Sequence, residues 1–133
     1  MQYFTVEQLN QDLNPEQGAK LWPIFNQTEL TRDSAKLKFF VDPEIAYFSG
    51  HFPEQAVLPG VVQVHWAGEL ARRLFACSGF STMSKIKFNN AILPNTRLSV
   101  SLSYLADVGR VEFYYEDSQQ KLSSGVLSFQ GET

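Results

Sequence analysis

The sequence predicts an α+β domain in which a curved antiparallel sheet wraps around one long helix. From Pro59 to about Cys77 no further proline occurs, and apolar residues recur at helical spacing. Beyond this stretch the hydrophobic period changes from 3.6 residues to two, which indicates successive strands. A long helix followed by adjacent strands is typical of an antiparallel sheet with one covered face.

The composition fits one globular domain over residues 1–133. The 133 residues are 44% hydrophobic and 19% charged, which excludes a disordered or low-complexity chain. The single Cys77 can form neither an internal disulfide nor a cysteine-based zinc site, so we expect a cytoplasmic protein. A net charge of −3 argues against binding of nucleic acid. We recognise no signal peptide, and no apolar run approaches the ~20 residues of a membrane helix.

Short elements are predicted before the long helix. Thr5 and Gln8 have the spacing of a capping box, so a helix is expected from Thr5 to Leu13. Residues Ala35 to Val41 alternate apolar side chains with lysines and are predicted to form a half-buried strand. A loop from Ile45 to Leu58 then leads into the helix.

The predicted helix carries apolar residues on almost every side. Pro59 suits its first turn, where a missing N–H costs least. The apolar positions are Val61, Val62, Val64, Trp66, Ala67, Leu70, Ala71, Leu74 and Phe75. A helix of this kind is expected to be buried on most sides.

Four strands are predicted after the helix. They are marked by Ile86 and Phe88, by Leu98 to Tyr104, by Val111 to Tyr115, and by Val126 to Phe129. Asp107 to Gly109 is predicted to form a hairpin turn between two of them.

The residues around the start of the helix resemble a known enzyme signature. Tyr-Phe-Ser-Gly-His-Phe-Pro occupies residues 47–53 and Leu-Pro-Gly-Val occupies residues 58–61, with Lys87-Phe88 and Pro94 later. These segments resemble the hotdog-fold 3-hydroxyacyl-acyl-carrier-protein dehydratases, and the similarity extends from about Leu37 to Phe129. The Val-Gln-x-x-Trp-Ala pattern at residues 62–67 is most similar to the small dehydratases of aryl-polyene assembly. The resemblance implies a hotdog fold, with the sheet wrapped around the central helix.

Removal of water from a 3-hydroxyacyl thioester requires a base, an acid and donors to the thioester oxygen. His51 is the predicted base, because a neutral imidazole accepts a proton near neutral pH. The N–H groups of Gly60 and Val61, at the positive end of the helix dipole, are the predicted donors to the carbonyl. The predicted substrate contacts are Phe52, Pro59 and Trp66.

Two residues compete for the role of the acid. The family that the sequence resembles has Glu or Asp fourteen positions after the motif histidine, whereas this chain has His65 there. Glu69 follows at i+4 on the same helix face, where it is expected to hold His65 in one tautomer and keep it protonated. We therefore expect His51 to be neutral and His65 charged, with Glu69 as the alternative acid.

The resemblance also implies partners. In the family the active site lies between two subunits, so a homodimer is expected, and a heterodimer with a related hotdog subunit is open. An edge strand and a nearly all-apolar helix give an independent reason to pair. The substrate is expected on the phosphopantetheine of an acyl carrier protein or on coenzyme A, with no metal or redox cofactor. Five basic residues form a possible docking surface for an acidic carrier, although simple solvation is favoured for each alone: Arg72, Arg73, Lys85, Lys87 and Arg97.

Three functions are open at this point. The leading one is a dehydratase that forms a trans-2-enoyl thioester in fatty-acid or polyene-type biosynthesis. A hotdog acyl-thioesterase is an alternative, against which the Gly-His-Phe-Pro motif speaks. The third is a non-catalytic subunit that binds acyl thioesters, as the histidine at position 65 suggests. Among residues more typical of packing, Trp66, Phe75 and Phe88 are expected in the core or a dimer contact, and Cys77 as a small buried hydrophobe.

Overall fold

The structure is a computed structural model, and it describes residues 5–15, 20–48 and 57–130. The helices are α1 (Val6–Leu13) and α2 (Gly60–Phe75), and the strands are β1 (Phe25–Leu30), β2 (Ser34–Phe40), β3 (Phe80–Phe88), β4 (Arg97–Leu105), β5 (Arg110–Glu116) and β6 (Lys121–Phe129). The strands form one antiparallel sheet in the order β1-β2-β4-β5-β6-β3. This architecture confirms the predicted α+β class.

Helix α1 begins where the capping-box spacing predicts. Thr5 is the N-cap, and its hydroxyl accepts a hydrogen bond from the backbone N–H of Gln8 at 3.1 Å. Leu9 and Leu13 form its buried face. The helix proper starts at Val6, since Thr5 is the capping residue and not part of the first turn.

Asn10 in α1 and its C-cap residue Asn14 hold the chain that leads into β1. The Asn10 side chain donates to the carbonyl of Phe25 at 2.8 Å and accepts from the Phe25 N–H at 2.9 Å. One turn later, Asn14 donates to the carbonyl of Pro23 and accepts from the N–H of Trp22, each at 3.3 Å. Because each amide bonds in both directions, these two residues form an asparagine clamp on this segment.

Strand β1 is absent from the sequence prediction. Its sequence, Phe-Asn-Gln-Thr-Glu-Leu, is apolar only at its two ends, and only Phe25 is fully buried. It lies at one edge of the sheet beside β2, with Thr28 opposite Leu37. A mostly exposed edge strand has little period-two signal, because water faces most of its side chains.

Strands β3 and β6 are longer than predicted. Strand β3 begins at Phe80 instead of near Ile86, and β6 begins at Lys121 instead of Val126. The residues added to β3 are exposed, and β6 contains Ser-Ser-Gly at positions 123–125. Exposed or small residues do not produce the alternation on which the prediction depends.

Strand β3 forms the other edge of the sheet, and this edge is apolar. Its register with β6 shifts around Lys85, which has φ of 54°. A non-glycine residue in the left-handed region of a strand marks a bulge. Phe80, Met83 and Phe88 are each more than half exposed along this strand. One edge of the sheet therefore offers apolar side chains as well as backbone hydrogen-bonding groups.

Helix α2 has Pro59 as its N-cap and ends at Phe75, where Ala76 adopts φ of 57°. The left-handed conformation of Ala76 ends the helix before the predicted end at Cys77. Cys77 is buried, as expected for a small hydrophobe. No helix within the described ranges has the length and apolar content needed to cross a lipid bilayer.

As expected, α2 is buried over most of its circumference, and one stripe stays open in the single chain. Its buried face consists of Val62, Gln63, Trp66, Ala67, Leu70, Ala71, Leu74 and Phe75. Val61, His65 and Arg72 lie on the open side, and Val61 is 76% exposed. The helix therefore buries one broad stripe against the sheet and leaves a second stripe, which includes His65, uncovered.

An aromatic cluster forms the core between α2 and the sheet. Trp66 stacks on Trp22 with ring centroids 5.5 Å apart and meets the edge of Phe39 at 6.2 Å. Its indole Nε1 donates to the carbonyl of Leu21 at 3.2 Å. The cluster thus joins α2 to β2 and to the segment held by the asparagine clamp.

Candidate active site

The first turn of α2 is the place where the later motif segments, among the described residues, meet. The ring of Phe88, at the end of β3, lies so close to Gly60 that a Cβ there would be 2.5 Å from the Phe88 Cζ. The backbone N–H of Leu58 donates to the carbonyl of Ile92 at 2.8 Å. The fold therefore brings the Lys-Phe segment and the chain before Pro94 to the Leu-Pro-Gly-Val turn.

The backbone at this turn is suited to polarising a carbonyl oxygen. The N–H groups of Val62 and Gln63 both donate to the carbonyl of Pro59, at 3.1 and 3.2 Å. Gly60 and Val61 are the first two helical residues, and their N–H groups have no carbonyl four residues earlier within the helix. Both N–H groups lie at the positive end of the helix dipole. This position fits the predicted donors to a thioester oxygen.

His65 lies one turn after Val61 on the open face of α2. Its side chain is exposed in the single chain. On one side the imidazole faces the indole of Trp22, with ring centroids 6.1 Å apart and planes inclined by 47°. Since residues at i and i+4 share a helix face, His65 and Val61 occupy the same side of the helix start.

Glu69 bonds to two arginines, whereas the sequence predicts His65 as its partner. Arg72 donates to both carboxylate oxygens, and Arg73 Nε donates to Oε1 at 3.0 Å. The hydrogen bonds from Arg72, followed by the smaller effects of Arg73, lower the pKa of Glu69. An ionised carboxylate held by two guanidinium groups has no proton to give. In the single chain, Glu69 is therefore the partner of Arg72 and Arg73.

Gln63 is a polar residue of the site that the sequence prediction gave no role. It is 3% exposed, and its amide Nε2 donates to the carbonyl of Leu58 at 3.1 Å. Ser123 Oγ donates to Gln63 Oε1 at 2.6 Å, and the Tyr115 hydroxyl donates to the Gln63 carbonyl at 2.7 Å. The available signal was a glutamine on an otherwise apolar helix face, where an unpaired amide is costly.

The residues predicted to contact the substrate differ in how far they are buried. Trp66 is 1% exposed and belongs to the aromatic cluster, so packing in the core is its role in the single chain. Pro59 is half-buried at the N-cap. Phe88, expected in the core or a dimer contact, is 52% exposed and therefore not part of the core. The predicted base His51 and the predicted contact Phe52 lie outside the described residues.

The five basic residues considered for carrier docking do not form one patch. Arg72 and Arg73 are on α2 and bond to Glu69. Lys87 is on β3 and Arg97 on β4, and β5 and β6 lie between those strands. Three strand spacings separate them by roughly 14 Å. Arg97 also lies over the Phe40 ring, 5.9 Å from its centroid.

Two open grooves lie away from this turn. One, of about 1480 Å³, is at the opposite end of α2 and is lined by Arg72, Phe75, Tyr104 and Val108 among others. The other, of about 410 Å³, is lined by residues of β1, β2, β4 and β5 among others. Within the described residues, neither groove includes the α2 start or His65. The same residues contain no group of three His, Cys, Asp or Glu side chains that could hold a metal ion.

Comparison with known proteins gives a family and a fold. The family model for the ApeI-like group, described as ApeI dehydratase, matches residues 26–126. A similar solved structure is the dehydratase heterocomplex ApeI:P from Xenorhabdus doucetiae, with 28% identity and a TM-score of 0.76. The alignment covers 81% of this chain and 97% of that one. An uncharacterised protein from Erwinia carotovora subsp. atroseptica is 29% identical with a TM-score of 0.67, over 85% of this chain and 95% of that one.

A more distant likeness concerns the fold alone. Thioesterase superfamily member 2 from Mus musculus has a TM-score of 0.62 at 9% identity, over 79% of this chain and 81% of that one. Together with the ApeI likeness, this confirms the hotdog fold that the motif resemblance implied. At this identity, the likeness to a thioesterase carries no argument about chemistry.

Proposed function

We propose that this chain, which belongs to the ApeI-like dehydratase family, removes water from a 3-hydroxyacyl thioester and releases the trans-2-enoyl thioester. The observation that carries the proposal is the family match over residues 26–126, which spans His51, the Pro-Gly turn and His65. The fold supports it, because Phe88 and the chain at Ile92 are brought to the same turn as Gly60.

The elimination can be assigned to groups of this chain. His51 takes the proton from C2 of the acyl chain, and the C2–H electron pair forms the C2=C3 double bond. His65 gives a proton to the C3 hydroxyl, which leaves as water. The N–H groups of Gly60 and Val61 stabilise the negative charge that develops on the thioester oxygen. No electrons pass to an external acceptor, so the step needs no redox cofactor.

The proposed substrate arrives as a thioester on the phosphopantetheine of an acyl carrier protein or on coenzyme A. Both carriers present the same thioester to the N–H groups of Gly60 and Val61 at the start of α2. We place the reaction in the cytoplasm, in fatty-acid or polyene-type biosynthesis. Comparing turnover of the two carriers, with the same acyl group, decides which one the protein uses.

A second hotdog subunit completes the proposed site. The open face of α2 leaves His65 exposed in the single chain, and an active site of this kind works best with water excluded. The apolar edge strand β3 ends at Phe88, which lies on Gly60, so a subunit paired along β3 would reach the α2 start. That subunit is a second copy of this chain or a related hotdog protein, and the similar dehydratase structure from Xenorhabdus doucetiae is itself a heterocomplex.

A non-catalytic subunit is a second candidate function. The observation that favours it is the state of the carboxylate: Glu69 is held by Arg72 and Arg73, and histidine occupies the position expected to carry an acid. Such a chain would bind an acyl thioester and leave the chemistry to its partner.

Product analysis tests the proposal. The purified protein is incubated with a 3-hydroxyacyl carrier thioester, and the carrier is analysed by mass spectrometry. Loss of one water from the intact thioester supports a dehydratase. A free thiol means a thioesterase, and an unchanged but bound substrate means a non-catalytic subunit. A further case is conversion that requires the addition of a related hotdog subunit. If His51→Ala in this chain then leaves that conversion unchanged, this chain also belongs to the non-catalytic class.

A further inference from the structure

We propose that Gln63, Ser123 and Tyr115 form a positioning network that fixes the first turn of α2 on the sheet. The network keeps the N–H groups of Gly60 and Val61 directed at the thioester oxygen. This inference rests on the proposed function, and it assigns a role to three residues that do not touch the reacting atoms.

Both the side chain and the backbone carbonyl of Gln63 belong to the network. Its side-chain oxygen accepts from Ser123 Oγ at 2.6 Å, and its backbone carbonyl accepts from the Tyr115 hydroxyl at 2.7 Å. Tyr115 and Ser123 are themselves opposite each other in the pairing of β5 with β6. Two adjacent strands therefore hold one helical residue at two points, which restricts both rotation and sliding of the helix start.

The network continues into the backbone before the helix. Gln63 Nε2 donates to the carbonyl of Leu58 at 3.1 Å, and the Leu58 N–H donates to the carbonyl of Ile92 at 2.8 Å. Both peptide groups of Leu58 are thus fixed, and the ring of Pro59 restricts the next φ angle. The orientation of the Gly60 N–H then follows from anchored atoms on both sides.

Burial makes these hydrogen bonds strong and specific. Gln63 is 3% exposed, while Ser123 and Tyr115 are each 0% exposed. Burial raises the pKa of Tyr115, so its hydroxyl remains protonated and available as a donor. A methionine or leucine would fill the same space without the risk of an unpaired amide. A buried polar group with all its partners present fixes one orientation, which apolar packing does less strictly.

Ser123→Ala is the variant that tests the inference, because it removes a single hydroxyl. Tyr115→Phe is the second variant, since it removes the other donor and keeps the ring. Ser101→Ala is the matched control: Ser101 is a buried serine of the same sheet, on β4. Dehydration kinetics are measured for the assembled protein well below each variant's thermal midpoint, and hydrogen exchange is followed for residues 60–63.

For Ser123→Ala and Tyr115→Phe we expect kcat to fall about tenfold with KM nearly constant, below the ~100-fold cost of a 1 Å misplacement. Exchange of the Val62 and Gln63 amides, whose N–H groups bond to the carbonyl of Pro59, should become faster, and Ser101→Ala should change neither quantity. If the thermal midpoint falls while kcat and amide exchange stay unchanged, the inference is overturned and Gln63 has a structural role only.

The same experiment separates this inference from the proposed function. If the wild-type protein converts no 3-hydroxyacyl thioester, the proposed function fails, and the catalytic part of the inference fails with it. If the wild type is active and the two variants match it in kcat, only the positioning network is refuted. Faster exchange without any change in kcat likewise refutes it, because the helix start would then be loosened without effect on the reaction.

Discussion

The ring of Phe88 lies against the backbone of Gly60, where a Cβ would come within 2.5 Å of the Phe88 Cζ and 2.9 Å of Cε1. This contact joins the end of the edge strand β3 to the first residue of α2. It explains why glycine occupies this position, because any side chain there would collide with the ring. The same contact places an apolar ring beside the N–H groups that are proposed to bind the thioester oxygen.

Gly60→Ala should disturb this contact and reduce activity. The added methyl group must move the Phe88 ring or the helix start, and the ring moves more easily because it is half exposed. We expect the free energy of unfolding to fall by about 1 kcal/mol, the low end of the cost of overpacking. Phe88→Leu combined with Gly60→Ala should cost less than the two single changes together. Strictly additive losses in a double-mutant cycle would show that the two residues do not act through contact.

Glu69→Gln should affect stability in a pH-dependent way and spare turnover. The pKa of Glu69 is lowered from its ordinary value of 4.5, chiefly by hydrogen bonds from Arg72. Its contribution to stability is therefore complete above that value and is lost as the pH falls through the lower folded-state pKa. At neutral pH the variant should lose less than about 1 kcal/mol, as partly exposed ion pairs do, and the difference should vanish in acid. Urea unfolding at several pH values measures this, and an inactive Glu69→Gln would restore Glu69 as the acid.

Asn10→Ala should destabilise the fold, because it opens the asparagine clamp. The change leaves both the N–H and the carbonyl of Phe25 without the Asn10 amide. We expect the free energy of unfolding to fall by about 1–3 kcal/mol, the cost of partly buried polar groups left unpaired. Gln11→Ala, an exposed position on the same helix, is the control and should change it by less than about 0.5 kcal/mol. Equal effects of the two changes would mean that the clamp does not contribute.

Met83→Lys should weaken the association of subunits. Met83 is 56% exposed on the edge strand β3, and burying a charge at this edge is costly. We expect the molar mass in solution to fall toward that of one chain, measured by light scattering over a range of protein concentrations. Gln119→Lys, in the exposed turn between β5 and β6, adds the same charge elsewhere and should leave the mass unchanged. A mass that does not respond to Met83→Lys would place the subunit contact away from this edge.

The elements with strong periodicity could be predicted from the sequence. Helix α2 and the core strands β2, β4 and β5 have apolar side chains at regular spacing, and their predicted positions agree with the structure to within a few residues. Strand β1 was missed because its side chains are mostly exposed. The start of β6 was misplaced because Gly125 lies under Ile86 and Phe113, where any Cβ would be closer than 3 Å. Tight tertiary packing of this kind leaves no periodic pattern.

The candidate site was predictable only in part. The motif indicated Gly60, Val61 and His65. Because all three lie on one helix, their spacing in the sequence determines which helix face each occupies. The partners of Glu69 could not be chosen from spacing, because His65, Arg72 and Arg73 all lie within one turn of it. The structure selects the two arginines, which bond through charge-assisted hydrogen bonds. The hydrogen bonds of Gln63 to Ser123 and Tyr115 join residues more than 50 positions apart, and no local pattern reports such contacts.

Turnover by single-histidine variants is the most direct test of two imidazoles acting as base and acid. Wild type, His51→Ala and His65→Ala are compared in the rate at which a 3-hydroxyacyl thioester loses water, with thermal unfolding as a check on folding. We expect each variant to lose at least ~100-fold in kcat, the usual contribution of a general acid or base. A folded His65→Ala that keeps the wild-type rate would contradict the assignment of the acid, and a folded His51→Ala that does so would contradict the proposed chemistry as a whole.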